Sequence, residues 1–140
     1  MNNLCAYPIK MLVHTFLCLY RPCVYEGRYV DGEYHWVGRH TYRNGANYYG
    51  EWIDGSKHGT GIMTHSNGNV YRGEYKYDRR HGHGRYESTD GSYYEGEWKD
   101  HRRHGYGKYV AADGTVTEGE WREGKAYECD TFHPSDRDRI

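Results

Sequence analysis

Histidine returns at a fixed interval in this chain, at His35, His58, His81 and His104, and glutamate does the same at Glu51, Glu74, Glu97 and Glu120. Imidazoles in series could build a metal site or a set of general bases, and carboxylates in series could do acid–base work. Cations gather just before three of the histidines, in "SKH" (56–58), "RRH" (79–81) and "RRH" (102–104), a grouping suited to an anion. No Ser-His-Asp arrangement, phosphate-cradling loop or Cys-His motif accompanies them. The cysteines, Cys5, Cys18, Cys23 and Cys129, have no metal-ligand spacing and give no defensible disulfide framework, so they read as reduced thiols.

Whether these groups can act depends on the elements that hold them. An aromatic-x-Gly-x-aromatic phrase starts at Tyr25, Tyr48, Tyr71 and Tyr94, and a fifth copy opens at Thr117, every step being 23 residues. Ten residues after each of the first four starts comes the histidine, then a glycine three further on (Gly38, Gly61, Gly84, Gly107). An Asn-Gly or Asp-Gly pair closes each unit at 44–45, 67–68, 90–91 and 113–114. Short β-branched or aromatic runs separated by such pairs read as β-hairpins. The units 25–47, 48–70, 71–93, 94–116 and the half-unit 117–128 therefore predict about nine strands of one antiparallel meander. The expected fold is all-β: tandem hairpins of period 23 in an elongated, twisted, mostly single-layer sheet.

Strand alternation sorts the side chains by face. Tyr48, Gly50 and Trp52 share one face, and Tyr49, Glu51 and Ile53 the other. The glycines read as troughs for aromatic rings of adjacent strands, with Tyr29, Trp52, Tyr75, Trp98 and Trp121 as the aromatic ladder of the core. Successive histidines fall two strands apart, ~9 to 10 Å, too far to share a zinc ion. They read as packed against an aromatic ring or bonded to a turn carbonyl. The glutamates read as an open polar face, without the pocket or desolvation that tunes a catalytic carboxyl, paired across strands with Lys76, Lys99 and Arg122. A repeated constellation also argues against a unique active site. No catalytic residue, metal or cofactor is expected.

Composition fits this picture. Aliphatic residues are scarce, yet aromatic residues make up 16% of the chain and the net charge is only −1, which argues against disorder. All 19 glycines lie between Gly27 and Gly124, and Pro8, Pro22 and Pro134 all lie outside, as a sheet that needs every N–H requires. The charge balance gives no reason to expect nucleic acid. Residues 1–24 stand apart: "MLVHTFLCLY" (11–20) is too short for a membrane span, lacks a cleavage site, and reads as a leader or a cap on the first strand edge. Residues 129–140, "CDTFHPSDRDRI", read as a polar tail.

The phrase Y-x-G-E-W-x-x-G-x-x-H-G-x-G, followed by a D-G or N-G turn, resembles the MORN (membrane occupation and recognition nexus) repeat over residues 25 to about 124. Unit one departs from it, with Arg28 in place of Glu and "HWVG" (35–38) in place of His-Gly-x-Gly, and Thr117 replaces the aromatic that opens unit five. The resemblance implies the hairpin sheet above. Such repeats accompany lipid kinases, membrane-tethering junctophilins, a histone methyltransferase, ciliary radial spokes and cytoskeletal scaffolds. In the enzymes the catalytic domain lies outside the repeats, and neither flank here is expected to hold one.

Two readings of function follow. The first is a non-catalytic scaffold that binds a protein partner at cytoskeletal or ciliary structures, inside the cell. The alternative is a peripheral membrane module that binds acidic phospholipids, phosphoinositides above all, through a basic row of turns. By strand order Lys57, Arg79, Arg80, Arg102 and Arg103 fall along one end of the sheet, with His58, His81 and His104 beside them, and form the candidate binding edge. Unpaired sheet edges add a third expectation, association of the chain with itself.

Overall fold

A computed structural model describes residues 23–135, and every regular element in it is a strand. The ten strands are β1 (Val24–Val30), β2 (Glu33–Thr41), β3 (Asn47–Ile53), β4 (Ser56–Thr64), β5 (Val70–Lys76), β6 (Arg79–Glu87), β7 (Tyr93–Lys99), β8 (Arg102–Val110), β9 (Val116–Arg122) and β10 (Lys125–Phe132). They form one open antiparallel sheet in sequence order, so each strand pairs only with its neighbours in the chain. At about 4.8 Å per step the sheet runs roughly 43 Å across its strands. The hairpin repeat expected from the sequence is the fold.

The two ends of the sheet turn differently. At one end two-residue turns at 31–32, 54–55, 77–78, 100–101 and 123–124 have positive φ at both positions, the geometry that matches the twist of paired strands. Three of them end in Gly, but Tyr77-Asp78 and Asp100-His101 adopt the same conformation without one. At the other end the Asn-Gly and Asp-Gly pairs sit inside five-residue loops rather than forming the turn alone. In the first of these loops the Tyr42 N–H donates to the Ala46 carbonyl at 2.8 Å, and the Ala46 N–H donates to Asn44 Oδ1 at 3.0 Å.

A row of glycines crosses the sheet and explains the core. Gly27, Gly38, Gly50, Gly61, Gly73, Gly84, Gly96, Gly107 and Gly119 are successive cross-strand partners. The rings of Tyr25, Tyr48, Tyr71 and Tyr94 lie over this row, and a Cβ on Gly61 or Gly84 would strike the Tyr48 or Tyr71 ring. Each tyrosine hydroxyl donates to the carbonyl three residues on, for Tyr71 the Glu74 oxygen at 3.0 Å. The row ends at Cys129, opposite Gly119. There Thr117 brings no ring, so the partner position can carry a side chain.

Between these tyrosines stand the second aromatics, edge to face. Tyr48 lies 5.0 Å from Trp52 and 5.2 Å from Tyr75, Tyr71 lies 5.2 Å from Tyr75 and 5.4 Å from Trp98, and Tyr94 lies 5.2 Å from both Trp98 and Trp121. Each such pair contributes about 0.5–1.5 kcal/mol beyond area burial. The indole N–H groups of Trp52, Trp98 and Trp121 donate to the carbonyls of Gly38, Gly84 and Gly107, at 3.2, 2.9 and 3.0 Å.

Three expectations need correction. Tyr29 is half exposed and is not a core rung: among the described residues its ring contacts are with Tyr25 and Tyr34, both of its own hairpin, and no described hairpin precedes it. The rungs in the core are Trp52, Tyr75, Trp98 and Trp121 together with Tyr25, Tyr48, Tyr71 and Tyr94. The sheet has a tenth strand, and β10 runs to Phe132, four residues into the segment 129–140 read as a polar tail. The reading of residues 1–24 as a leader or cap meets the described residues only at Cys23 and at Val24, which begins β1; the rest of that segment, with the thiols of Cys5 and Cys18, lies outside them. Cys23 and Cys129 are free thiols.

Candidate functional site

The basic row does not form one surface. Lys57, Arg80 and Arg103 are the second residues of β4, β6 and β8, so alternation turns them onto the aromatic face. The Arg80 guanidinium lies 4.6 Å from the Trp98 ring centre and 5.6 Å from that of Tyr71. Arg103 lies 4.9 Å from Tyr94 and 5.1 Å from Trp121, and Lys57 Nζ lies 5.6 Å from Tyr48 and 5.7 Å from Tyr75. Burial pulls the Lys57 and Arg103 pKa values down. These cations fill the gaps between rungs; in unit one the same place is taken by Tyr34, stacked on Tyr25 at 3.8 Å.

Arg79 and Arg102 are the first residues of β6 and β8 and point the other way. Each meets a carboxylate on the neighbouring two-residue turn: Arg79 pairs with Asp100 at 3.4 Å and Arg102 with Glu123. The sequence reading placed all five cations in turns, since neither Tyr77-Asp78 nor Asp100-His101 carries the glycine that marks the turn in the other units. The turns close one or two residues earlier, and the cations therefore belong to strands and alternate between faces. A shallow pocket beside them is lined by Arg79, Asp100, His101, Arg102, His104 and Glu123, cations and carboxylates mixed.

The repeated histidine and glutamate belong to one device. In β3–β4 the ladder pairs Gly50 with Gly61 and Trp52 with Lys57, leaving Glu51 opposite an outward bulge of His58, Gly59 and Thr60. Gly59, Gly82 and Gly105 take φ of +57°, +59° and +54° there, a conformation that costs a Cβ-bearing residue. The bulge frees the N–H of the next residue, and the glutamate accepts it: Thr60 N–H to Glu51 at 2.9 Å, His83 N–H to Glu74 at 3.0 Å, and Tyr106 N–H to Glu97 at 3.0 Å. The Thr60 backbone and hydroxyl bonds hold the Glu51 carboxyl below its ordinary range. The expected cross-strand ion pairs with Lys76 and Lys99 are not made; Glu120 pairs with Arg122 at 3.0 Å on its own strand.

The histidines sit at the edge of this device. The His58 ring packs on Tyr77 at 4.9 Å, and His35 Nδ1 lies 3.9 Å from an Asp54 carboxylate oxygen. Nδ1 of His81 is buried without a hydrogen-bond partner. Among the described residues no three His, Cys, Asp or Glu side chains cluster as metal ligands. Of the four carboxylates in series, Glu51, Glu74 and Glu97 are engaged with backbone N–H groups and Glu120 with the Arg122 guanidinium.

One bulge breaks the rule. In unit one the position of Gly59, Gly82 and Gly105 is held by Trp36, whose φ is +65°, and the position of the glutamate is held by Arg28. The indole is largely exposed, and the Arg28 guanidinium lies 5.6 Å from its ring centre. Sequence reading registered both departures but not that they face each other. The signal lay in the register, since residues 28 and 36 stand where Glu51 and Gly59 stand one unit later.

No curated protein matches the chain at a significant level. The family model for the MORN repeat matches residues 25–46, 48–70, 71–93, 94–116 and 118–126. These are the bounds of the hairpins whose glycine row, aromatic ladder and glutamate-clamped bulge are set out above, and the chain belongs to the MORN repeat family.

Proposed function

We propose that the protein is a non-catalytic repeat scaffold that binds a protein partner, in a cytoskeletal or ciliary setting. MORN repeats are protein- or membrane-interaction modules, and the repeat itself is non-enzymatic. The observation that carries the protein reading is the fate of the recurring charged groups. Glu51, Glu74 and Glu97 clamp bulges, Lys57, Arg80 and Arg103 cover rings, and Arg79 and Arg102 hold turn carboxylates. What this leaves free is a group of exposed apolar side chains on the first two hairpins, Trp36, Val37, Tyr49 and Ile62, around one shallow groove. Such surfaces mark interaction sites. Among the described residues no helix is long and apolar enough to cross a membrane.

Crosslinking in cells followed by capture of the full chain tests this reading, with vesicles containing phosphatidylinositol phosphate as the second arm. A saturable protein partner and vesicle binding that is weak at physiological salt are expected. No saturable partner, together with vesicle binding abolished by Arg79→Glu plus Arg102→Glu, would establish the lipid reading instead.

A further inference from the structure

The face opposite the aromatic ladder changes character along the sheet. From Arg72 onward every arginine of that face among the described residues has a carboxylate. Arg72 pairs with Glu87, Arg79 with Asp100, Arg85 with Glu87 and Glu95, Arg102 with Glu123, and Arg122 with Glu120. Over the first four strands the same face carries Trp36, Val37, Tyr49 and Ile62, exposed by 61%, 52%, 47% and 39%, around one shallow groove. The strand arginines here, Arg28 and Arg39, lie 5.6 and 5.7 Å over the rings of Trp36 and Tyr49. Neither has a carboxylate within ion-pair distance among the described residues, although Glu26 is the ladder partner of Arg39. Glu51 borders the groove but is engaged by Thr60.

Two independent features point outward. A tryptophan in left-handed backbone is a conformational outlier, and here the strain is not offset by burial of the ring. A guanidinium held near a ring with no carboxylate of its own keeps N–H groups free to take a carboxylate in bidentate fashion. Trp, Tyr and Arg grouped in this way are the residue types that anchor protein interfaces.

We propose that the outer face of β1–β4 is the docking site for a partner protein segment that combines apolar side chains with carboxylates. The apolar side chains settle over Trp36, Val37, Tyr49 and Ile62, and the carboxylates meet Arg28 and Arg39. A second copy of this chain is a poor occupant, because the same face would bring Arg28 and Arg39 again and, to meet them, only Glu26 and a Glu51 already engaged by Thr60. This proposal rests on the protein-binding reading above and gives it a place and a chemistry.

The test is selection of a phage-displayed random peptide library on the full chain, then titration of the selected peptides by fluorescence. Peptides that mix aromatic or aliphatic residues with Asp and Glu are expected to be enriched. Trp36→Gly should weaken them about tenfold or more while raising the melting temperature, because glycine is what the repeat uses at that position. Arg28→Ala plus Arg39→Ala should weaken them too and flatten the dependence of binding on salt. Enrichment of no such peptides, or peptides that bind Trp36→Gly undiminished, overturns the proposal. A dimer abolished by Trp36→Gly, or quenching by phosphatidylserine vesicles matching that by peptide, assigns the face to a second copy or to lipid and also overturns it. Trp52, Trp98 and Trp121 are buried, so acrylamide quenching reports Trp36. A Trp36 shielded from acrylamide in the free chain means the chain covers its own face, and the proposal fails. A crosslinked partner indifferent to Trp36→Gly would leave the scaffold reading standing and remove this site alone.

Discussion

The first hairpin and the third are built on the same 23-residue phrase and use it in opposite ways. In β5–β6 the bulge is held by a glycine, Gly82, and clamped by Glu74, and its aromatic rungs lie between neighbours on both sides. In β1–β2 the corresponding positions carry Trp36 and Arg28, the outer rung Tyr29 is half exposed, and the outer surface sets Trp36 and Val37 beside Arg28 and Arg39. The interior hairpin keeps both the bulge glycine and the glutamate clamp of the repeat. The first one lacks both, at positions that touch each other. Departures from local consistency are where function is expected in an otherwise regular fold.

The largest way to separate the two hairpins is to remove a rung. Tyr71 is fully buried, lies over Gly73 and Gly84, and stands between Tyr75 and Trp98. Tyr71→Ala should cost about 3–5 kcal/mol in urea unfolding. Tyr25→Ala, at the first hairpin, should cost roughly half as much, since among the described residues that end unit of a one-dimensional array has neighbours on one side only. Equal losses at the two positions would mean that the array does not behave as stacked neighbours.

The ladder and the hairpins were legible in the sequence because one residue type, glycine, is required at every point where a ring crosses the sheet. The split of the basic row was not legible. Arg79 and Arg80 are adjacent, so a shift of one residue in where the turn ends decides which face each takes. Tyr77-Asp78 supplies positive φ without the glycine that announces it elsewhere. Strand β10 was missed because it lacks the His-Gly-x-Gly phrase, whose glycine is needed only where a ring must be seated. The half-unit lacks that ring, at Thr117, and so has no need of the phrase. Tyr29 belongs to the first unit of the array, where no strand among the described residues precedes it to cover its ring, and a repeat phrase read unit by unit does not show that difference.

The next largest effect exchanges the bulge residues of the two hairpins. Gly82→Ala should destabilise by about 1–2 kcal/mol, the cost of a Cβ in left-handed backbone, with the Glu74 carboxylate also forced aside. Trp36→Gly should stabilise by about 1 kcal/mol for the same reason with the opposite sign. Thermal unfolding of both variants measures the pair. If Trp36→Gly lowers the melting temperature, the indole contributes to the fold and the contrast between the hairpins is one of packing rather than of function.

The smallest effect is one of pH, and it tests whether the clamp is transferable. Thr60 holds the folded Glu51 carboxyl below its ordinary value of 4.5. A depressed folded pKa means that this group's contribution is complete above about 4.5 and is lost as pH falls through the folded value. Glu51→Gln should therefore flatten the acid limb of stability against pH and leave its shape near neutrality unchanged. Unit one has Arg28 at the equivalent position and so has no such clamp. Arg28→Glu combined with Trp36→Gly rebuilds the repeat phrase and offers the new carboxylate the N–H of Val37, the counterpart of Thr60. Its acid limb should be steeper than that of Trp36→Gly alone, read from urea unfolding at a series of pH values. Because Glu51 is exposed, the difference is small, and it is best seen as a change in slope between pH 5 and the acid end of the series. Identical limbs in the two variants would mean that the clamp requires more of the interior hairpin than its glutamate and its glycine.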